Sequence, residues 1–185
     1  YSSHGPWIEK VKNRLSQGLS GGRGVPGAEP MGHPIAEILA PWFDNSTFLV
    51  AVLYYAVLER YPSLKIVMAH SKASWLHIFL EKVETYVTLI PRHTIPVRPD
   101  AEEVFFESQA AIGFDADEVA VQRLPDRFEQ KVVWGSRYPN HDTTSAWDAI
   151  QTLTRADVSE STIARMLGGN AAQQYGIELI QKVGA

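Results

Sequence analysis

The residues best suited to chemistry lie between positions 131 and 142. Residues 131–134, Lys-Val-Val-Trp, are mostly β-branched or aromatic, which is typical of a short buried strand. Arg137, Tyr138 and His141 follow it. Ligands of α/β proteins bind where strands end and loops begin, so a carboxylate-binding guanidinium, a phenol and an imidazole at this point indicate a site. An ordinary polar loop is the alternative interpretation.

A second strand exit carries the strongest single candidate, His70. Residues 64–69, Leu-Lys-Ile-Val-Met-Ala, form the clearest strand pattern, and His70 follows directly. A neutral imidazole binds divalent metals or transfers protons near neutral pH, although a buried structural histidine would fit the same pattern. Lys72 adds a positive charge, and Trp75 is either a substrate contact or part of the core. We predict His70 as a catalytic and metal-binding residue, with Lys72 and Trp75 as substrate contacts.

Further candidates lie in loops. His141 and Asp142 could form an acid–base pair, but neighbours in sequence often point apart. The Gly-rich residues 21–27 contain Arg23, a candidate substrate contact, but lack the order of a phosphate-binding loop. Glu107 and Asp115 are second choices.

Composition excludes several classes of protein. With 185 residues, 45% of them hydrophobic and 21% charged, the chain is predicted to be a single globular domain. A net charge of −4, with no two adjacent basic residues, argues against nucleic-acid binding. The absence of cysteine excludes disulfides and thiolate sites and fits a cytoplasmic protein. The longest apolar run, residues 48–58, is too short to cross a bilayer.

Strand and helix patterns alternate along the chain. Helices are predicted over residues 47–60, 74–89, 115–122, 143–153, 159–167 and 170–183, and strands over 17–20, 64–69, 103–111 and 131–134. Pro41 is expected to break the apolar segment before the first of these helices, with Asn45 or Ser46 as its N-cap. About four strand–helix repeats favour an α/β fold with a parallel sheet and right-handed crossovers.

Four segments of the chain resemble motifs of the amidohydrolase-2 family, which includes the aminocarboxymuconate-semialdehyde decarboxylases and related hydrolases. The segments are residues 57–67 (VLERYPSLKIV), 69–76 (AHSKASWL), 134–140 (WGSRYPN) and 167–176 (LGGNAAQQYG). They occur in the family's order, and almost the whole chain resembles the C-terminal half of the family.

This resemblance implies a metal-dependent (β/α)8 barrel, of which the chain would supply about half, strands five to eight. It implies hydrolysis or non-oxidative decarboxylation of a small carboxylic acid, with zinc or manganese as cofactor. His70 would be a histidine near the metal that handles substrate. His33 would be a metal ligand in one alignment; in another, Ser20 replaces the ligand and His33 is a downstream loop residue.

The chain also departs from the family's pattern. Arg137 stands where the family has an aspartate that is both metal ligand and catalytic base, and Ser71-Lys72-Ala73 replaces a glycine triplet. A guanidinium cannot ligate a metal and would repel one. Either the metal is therefore absent, or Arg137 points out of the pocket as a solvated side chain. In the first case a pocket with Arg137, Lys72 and, if its loop reaches the pocket, Arg23 would bind an anion.

Three interpretations remain open. In the first, the protein is an enzyme in which His70 transfers protons and Arg137 holds a carboxylate. In the second, it is a catalytically degenerate, metal-free homologue that serves as a ligand-binding or structural subunit. In the third, it is a small open α/β interaction module. The family's first-strand His-x-His pair has no counterpart, so a first half is expected elsewhere on a longer chain or on another chain, unless the protein does without it. Because a half barrel leaves strand edges unpaired, we expect a homo-oligomer or assembly with the missing half.

Overall fold

The computed structural model describes residues 34–89, 100–139 and 143–178. The chain divides into two compact units, Tyr1–Leu49 and Val50–Ala185. The described strands and the described site residues considered below lie in the second unit. None of the described helices combines the length and the apolar character that a membrane crossing requires.

The first described helix, α1, spans Pro34–Tyr54 and corrects two predictions. Pro41 lies inside this helix instead of breaking it. Proline removes one N–H donor, a local cost that a long helix can absorb. Ser46 is not an N-cap, since its hydroxyl donates to the Phe43 carbonyl at 3.1 Å from a position within the helix. Ala56, with φ of 51°, separates α1 from a short second helix, α2, at Val57–Arg60.

Three parallel strands form the described sheet, which confirms the predicted fold class. Strand β1 is Ile66–Met68, β2 is Ala110–Phe114 and β3 is Val132–Trp134, in the order β1-β2-β3. Met68 pairs with Ile112, which pairs with Val132, and all three side chains are buried. This row of apolar side chains joins the strands to the core, and burial of such side chains stabilises the fold. The predicted strand over residues 17–20 lies outside the described residues.

Helices connect and follow the strands. They are α3 (Leu76–Leu89), α4 (Ala101–Glu107), α5 (Val119–Arg123), α6 (Pro125–Phe128), α7 (Ala146–Arg155), α8 (Glu160–Ala164), a π-helical turn (Arg165–Gly169) and α9 (Asn170–Tyr175).

Two predicted elements were wrong. The strand predicted over residues 103–111 is mostly helix α4, because the helix buries Val104 and Phe105 together, and β2 begins only at Ala110. The last helix, predicted to reach residue 183, ends at Tyr175, where Gly176 adopts the left-handed conformation that commonly terminates helices.

Asn170 attaches α9 to the sheet. Its side chain is 8% exposed, and Nδ2 donates to the carbonyls of Glu129 at 2.6 Å and Val132 at 2.7 Å. A buried amide in this position secures the start of β3, the strand that ends at the candidate site.

We expect Asn170→Ala to lower the free energy of unfolding by about 1–3 kcal/mol, because both carbonyls lose this donor in a buried place. Urea unfolding would measure the change. Gln173→Ala, on the exposed side of the same helix, is the control and should have little effect. Equal losses in the two variants would contradict the assigned role of Asn170.

Candidate active site at the carboxyl ends of the strands

The three strand exits meet at one edge of the sheet. His70 and Lys72 follow β1, Asp115 follows β2 and Arg137 follows β3. Because neighbouring strands are parallel, their carboxyl ends lie side by side. The four side chains line a cleft of about 230 Å³ at these ends. The rest of the lining is mainly apolar or small: Val67, Ala69, Gly113, Phe114, Val133, Trp134, Gly135, Ala171 and Tyr175. The structure thus brings together three predicted site residues, His70, Lys72 and Arg137, with Asp115, which was a second-choice candidate.

Asp115 lies between the two cations of the cleft. Its Oδ2 is 3.3 Å from Arg137 Nη1 and 3.3 Å from Lys72 Nζ. Lys72 Nζ is also 3.5 Å from Oδ1 of Asp117. The Arg137 and Asp115 side chains are 26% and 25% exposed, whereas Lys72 is about half exposed. Water therefore screens the Arg137–Asp115 pair less than the contacts of Lys72.

The charge on Lys72 is favoured by its neighbours. Partial burial alone would lower the pKa of Lys72, but the carboxylates of Asp117 and Asp115 outweigh burial and raise it above the ordinary value of 10.5. Lys72 is therefore a cation throughout the neutral range.

This raised pKa predicts a small alkaline loss of stability. Because the pKa is higher in the folded state than in the unfolded state, the contribution of Lys72 is fully present below about pH 10.4 and is lost as the pH rises through the folded pKa. The contribution is below about 1 kcal/mol, since the side chain is half exposed. The difference in unfolding free energy between wild type and Lys72→Met should therefore stay constant up to about pH 10.4 and shrink above it. An unchanged difference would show that the ion pairs contribute nothing.

Three site residues have unusual backbone conformations. His70, Lys72 and Arg137 have φ of 66°, 61° and 58°, in the left-handed region that non-glycine residues visit rarely. Each costs of order 1 kcal/mol and persists only where the surroundings fix it. Lys72 lies in the segment where the resembling motif has glycines, which adopt this conformation without strain. The fold therefore keeps the charged residue Lys72 at a positive φ, which a non-glycine residue does not favour.

Several other predicted site residues do not line the cleft. Tyr138 is 80% exposed. Trp75 donates from its indole nitrogen to the Ser71 carbonyl at 3.1 Å and packs edge-on against Phe79, so it supports the loop after β1. Arg23, His33 and His141 lie outside the described residues.

Glu118, beside the site, is a supporting residue that the sequence did not reveal. The residue is 4% exposed, and its carboxylate accepts hydrogen bonds from the loop after β1 and from the Asp115 amide after β2. The only local signal was an acidic residue three positions after Asp115, at the start of a short helix. Acidic residues occur at this kind of position in many surface loops. The sequence pattern therefore does not distinguish a buried glutamate that binds two loops from a solvated one.

The described residues of the cleft do not fit a divalent metal. Within residues 34–89, 100–139 and 143–178, no three histidine, aspartate or glutamate side chains are grouped closely enough to hold one. The donors that do line the cleft are His70 and Asp115, and Asp115 already faces a guanidinium and an ammonium group. Both cations would repel a metal at this carboxylate.

Comparison with known proteins agrees with this fold. The model of an amidohydrolase family, Amidohydro_2, matches residues 22–177. No curated protein matches the sequence significantly.

Solved structures of amidohydrolases and decarboxylases are similar to the chain. An amidohydrolase from Mycobacterium avium subsp. paratuberculosis K-10 has a TM-score of 0.63 at 18% identity, over 91% of this chain and 40% of that one. A dihydroxybenzoic acid decarboxylase from Polaromonas sp. JS666, solved with manganese and the inhibitor 2-nitroresorcinol, has a TM-score of 0.61 at 14% identity, over 95% and 49% of the two chains.

A third similar structure is the 5-carboxyvanillate decarboxylase LigW from Sphingomonas paucimobilis, with a TM-score of 0.57 at 21% identity, over 89% of this chain and 46% of that one. The chain therefore spans between two fifths and half of the length of these proteins. At these identities the likeness concerns the fold, a barrel-type arrangement of parallel strands and helices of which this chain forms a part.

Proposed function

Because the chain belongs to the amidohydrolase family, we propose that its strand-end cleft binds a small carboxylic acid and catalyses its non-oxidative decarboxylation. The observation that carries the proposal is the set of groups around the cleft. Two cations and an imidazole line it, against one carboxylate, among the described residues. Two of the similar structures are named as decarboxylases of aromatic acids, which supports this substrate class.

The proposed reaction needs no oxidant. Arg137 and Lys72 bind and orient the acid by charge-assisted hydrogen bonds, and Asp115 holds the guanidinium in place. His70, as an imidazolium, gives a proton to the carbon that carries the carboxylate. As the carbon–carbon bond breaks, carbon dioxide leaves and the bonding electron pair stays on that carbon, where it forms the new bond to the proton from His70. The imidazole then takes a new proton from water.

The family implies a divalent metal such as zinc or manganese, but the described cleft residues other than His70 and Asp115 offer it no suitable side-chain donor. We therefore propose that the positive charge that holds the acid comes from Arg137 and Lys72. Hydrolysis would use the same imidazole to take a proton from water. Decarboxylation is favoured by the names of the similar structures.

Turnover of defined acids tests the proposal. Purified protein would be incubated with 2,6-dihydroxybenzoate and with 5-carboxyvanillate, and released carbon dioxide and decarboxylated product would be quantified. The expected result is product formation from at least one acid and none from its methyl ester. If neither acid is consumed, the proposed decarboxylation is wrong; if neither acid is bound, the proposed carboxylate site is wrong as well.

A second candidate function is ligand binding without catalysis. It is favoured by the Arg137–Asp115 ion pair, which occupies the strand end where the resembling motif has its catalytic aspartate. Calorimetric binding of the acids with no product after prolonged incubation would favour this candidate over the enzyme.

We also propose self-association or assembly with a chain that supplies the remaining strands. In the described sheet β1 and β3 are edge strands, and exposed edges favour pairing with another chain. Light scattering coupled to gel filtration would measure this, with an expected mass well above the 20.6 kDa of one chain. A stable mass of one chain at micromolar concentration would contradict it.

A further inference from the structure

We propose that Glu118 is a positioning residue, which holds the loop carrying His70 and Lys72 against Asp115 and so sets the affinity of the cleft for a carboxylate. The inference rests on the proposed function for its ligand, but the contacts of Glu118 stand independently of it. Glu118 lies at the start of α5, behind the cleft, and does not line it.

One carboxylate oxygen of Glu118 binds the loop after β1. Oε2 accepts from the amides of Ala73 at 2.9 Å and Ser74 at 2.8 Å, and from the Ser74 hydroxyl at 2.5 Å. Hydrogen bonds to an ionised acceptor are shorter and stronger than bonds between neutral groups. Because only 4% of Glu118 is exposed, water competes little for these hydrogen-bonding groups.

The other oxygen binds the exit of the neighbouring strand. Oε1 accepts from the Asp115 amide at 2.8 Å and from the Ala73 amide at 3.1 Å. A single buried carboxylate therefore joins two loops that are more than forty residues apart in the chain. The same two loops meet again at the cleft surface, where Lys72 contacts Asp115 at 3.3 Å.

This clamp accounts for the strained backbone beside it. His70 and Lys72 both have positive φ, which persists only when the surrounding structure fixes it. The Ala73 amide, which Glu118 holds with both oxygens, directly follows Lys72. Without the clamp the loop can relax to ordinary φ values, and that would move Lys72 away from Asp115 and change the direction of His70.

The test is Glu118→Gln, which keeps the shape of the side chain but replaces one acceptor oxygen by an NH₂ group facing backbone N–H donors. We expect the Kd for dihydroxybenzoate to rise about tenfold. This is the effect expected when the variant loses roughly one charge-assisted hydrogen bond that keeps the binding site ordered. Ser74→Ala removes only the hydroxyl contact, so it should shift Kd in the same direction by less. Ser74→Ala also provides the test of the inference if Glu118→Gln does not fold.

The matched control is Glu129→Gln. Glu129 is also a carboxylate held by side chains, Thr162 at 3.0 Å and Arg165 at 3.4 Å, but it precedes β3 at the opposite end of the strands. The Glu129→Gln variant should lower the unfolding midpoint without changing the Kd for dihydroxybenzoate. If both variants change Kd equally at equal loss of stability, or if neither changes it, Glu118 has no positioning role.

Amide hydrogen exchange separates this inference from the proposed function. In Glu118→Gln the amides of Ala73, Ser74 and Asp115 should exchange faster and the His70 imidazole resonances should shift, whether or not any acid binds. Failure of the wild-type protein to bind an acid would overturn the proposed function alone. Unchanged exchange and unchanged His70 resonances would overturn the role of Glu118.

Discussion

Replacement of His70 by alanine is expected to slow decarboxylation by about 10²–10⁴-fold, the usual contribution of a positioned proton donor. His70 lies two residues after the end of β1 and lines the cleft with Arg137 and Asp115, so its imidazole can reach an acid held there. Its backbone is held at a φ of 66°, which places a conformational cost on this position. Rates would be compared at saturating acid, so that a change in Kd does not enter the result.

His77→Ala is the control for His70→Ala. Its Nε2 lies 2.9 Å from the Arg127 carbonyl, and its ring packs between Phe106 and Phe128, away from the cleft. This variant should lose stability but keep the rate per folded molecule. Unchanged turnover in His70→Ala, in protein with wild-type circular dichroism, would remove His70 from the mechanism.

Replacement of Arg137 by methionine should weaken binding of a small carboxylate by about 10- to 100-fold. Loss of hydrogen bonds to a charged group costs about 1.5–3 kcal/mol in a partly buried site. The Arg137 side chain is only 26% exposed, so water replaces its charge poorly. Lysine at this position should restore part of the affinity, because it keeps the charge but not the planar guanidinium.

Arg127→Met provides the matched control for Arg137. Arg127 also pairs with a carboxylate, Glu102 at 3.2 Å, but its side chain is 66% exposed and does not line the cleft. Exposed pairs contribute little, so this variant should bind the acid as the wild type does. Equal weakening by both substitutions would mean that the effect comes from net charge and not from contact with the ligand.

The sequence was sufficient to predict the parallel sheet and to place three candidate residues where its strands end. His70, Lys72 and Arg137 each follow a short apolar run, and parallel strands bring such exits to one edge. The prediction failed for residues 103–111, because a short apolar run such as Val104-Phe105-Phe106 has no periodicity that separates strand from helix. The packing of the folded chain decided that element.

The pairing of charges across the sheet could not be predicted. The sequence suggested a cleft with two or three cations and few carboxylates, whereas Asp115 lies between Arg137 and Lys72. This contact depends on the strand register, in which Phe114 pairs with Trp134, and on the clamp formed by Glu118. Strands β2 and β3 are mostly buried along their length, so they lack the alternating pattern through which a sequence specifies register.

The most direct test of the central claim is calorimetric titration of dihydroxybenzoate into wild type and Arg137→Met, each before and after dialysis against EDTA. If Arg137 and Lys72 supply the positive charge, the wild type binds the acid equally well with and without EDTA, and Arg137→Met binds at least tenfold more weakly in both conditions. Binding by the wild type that is lost in EDTA, restored by manganese and unaffected by Arg137→Met would contradict the account.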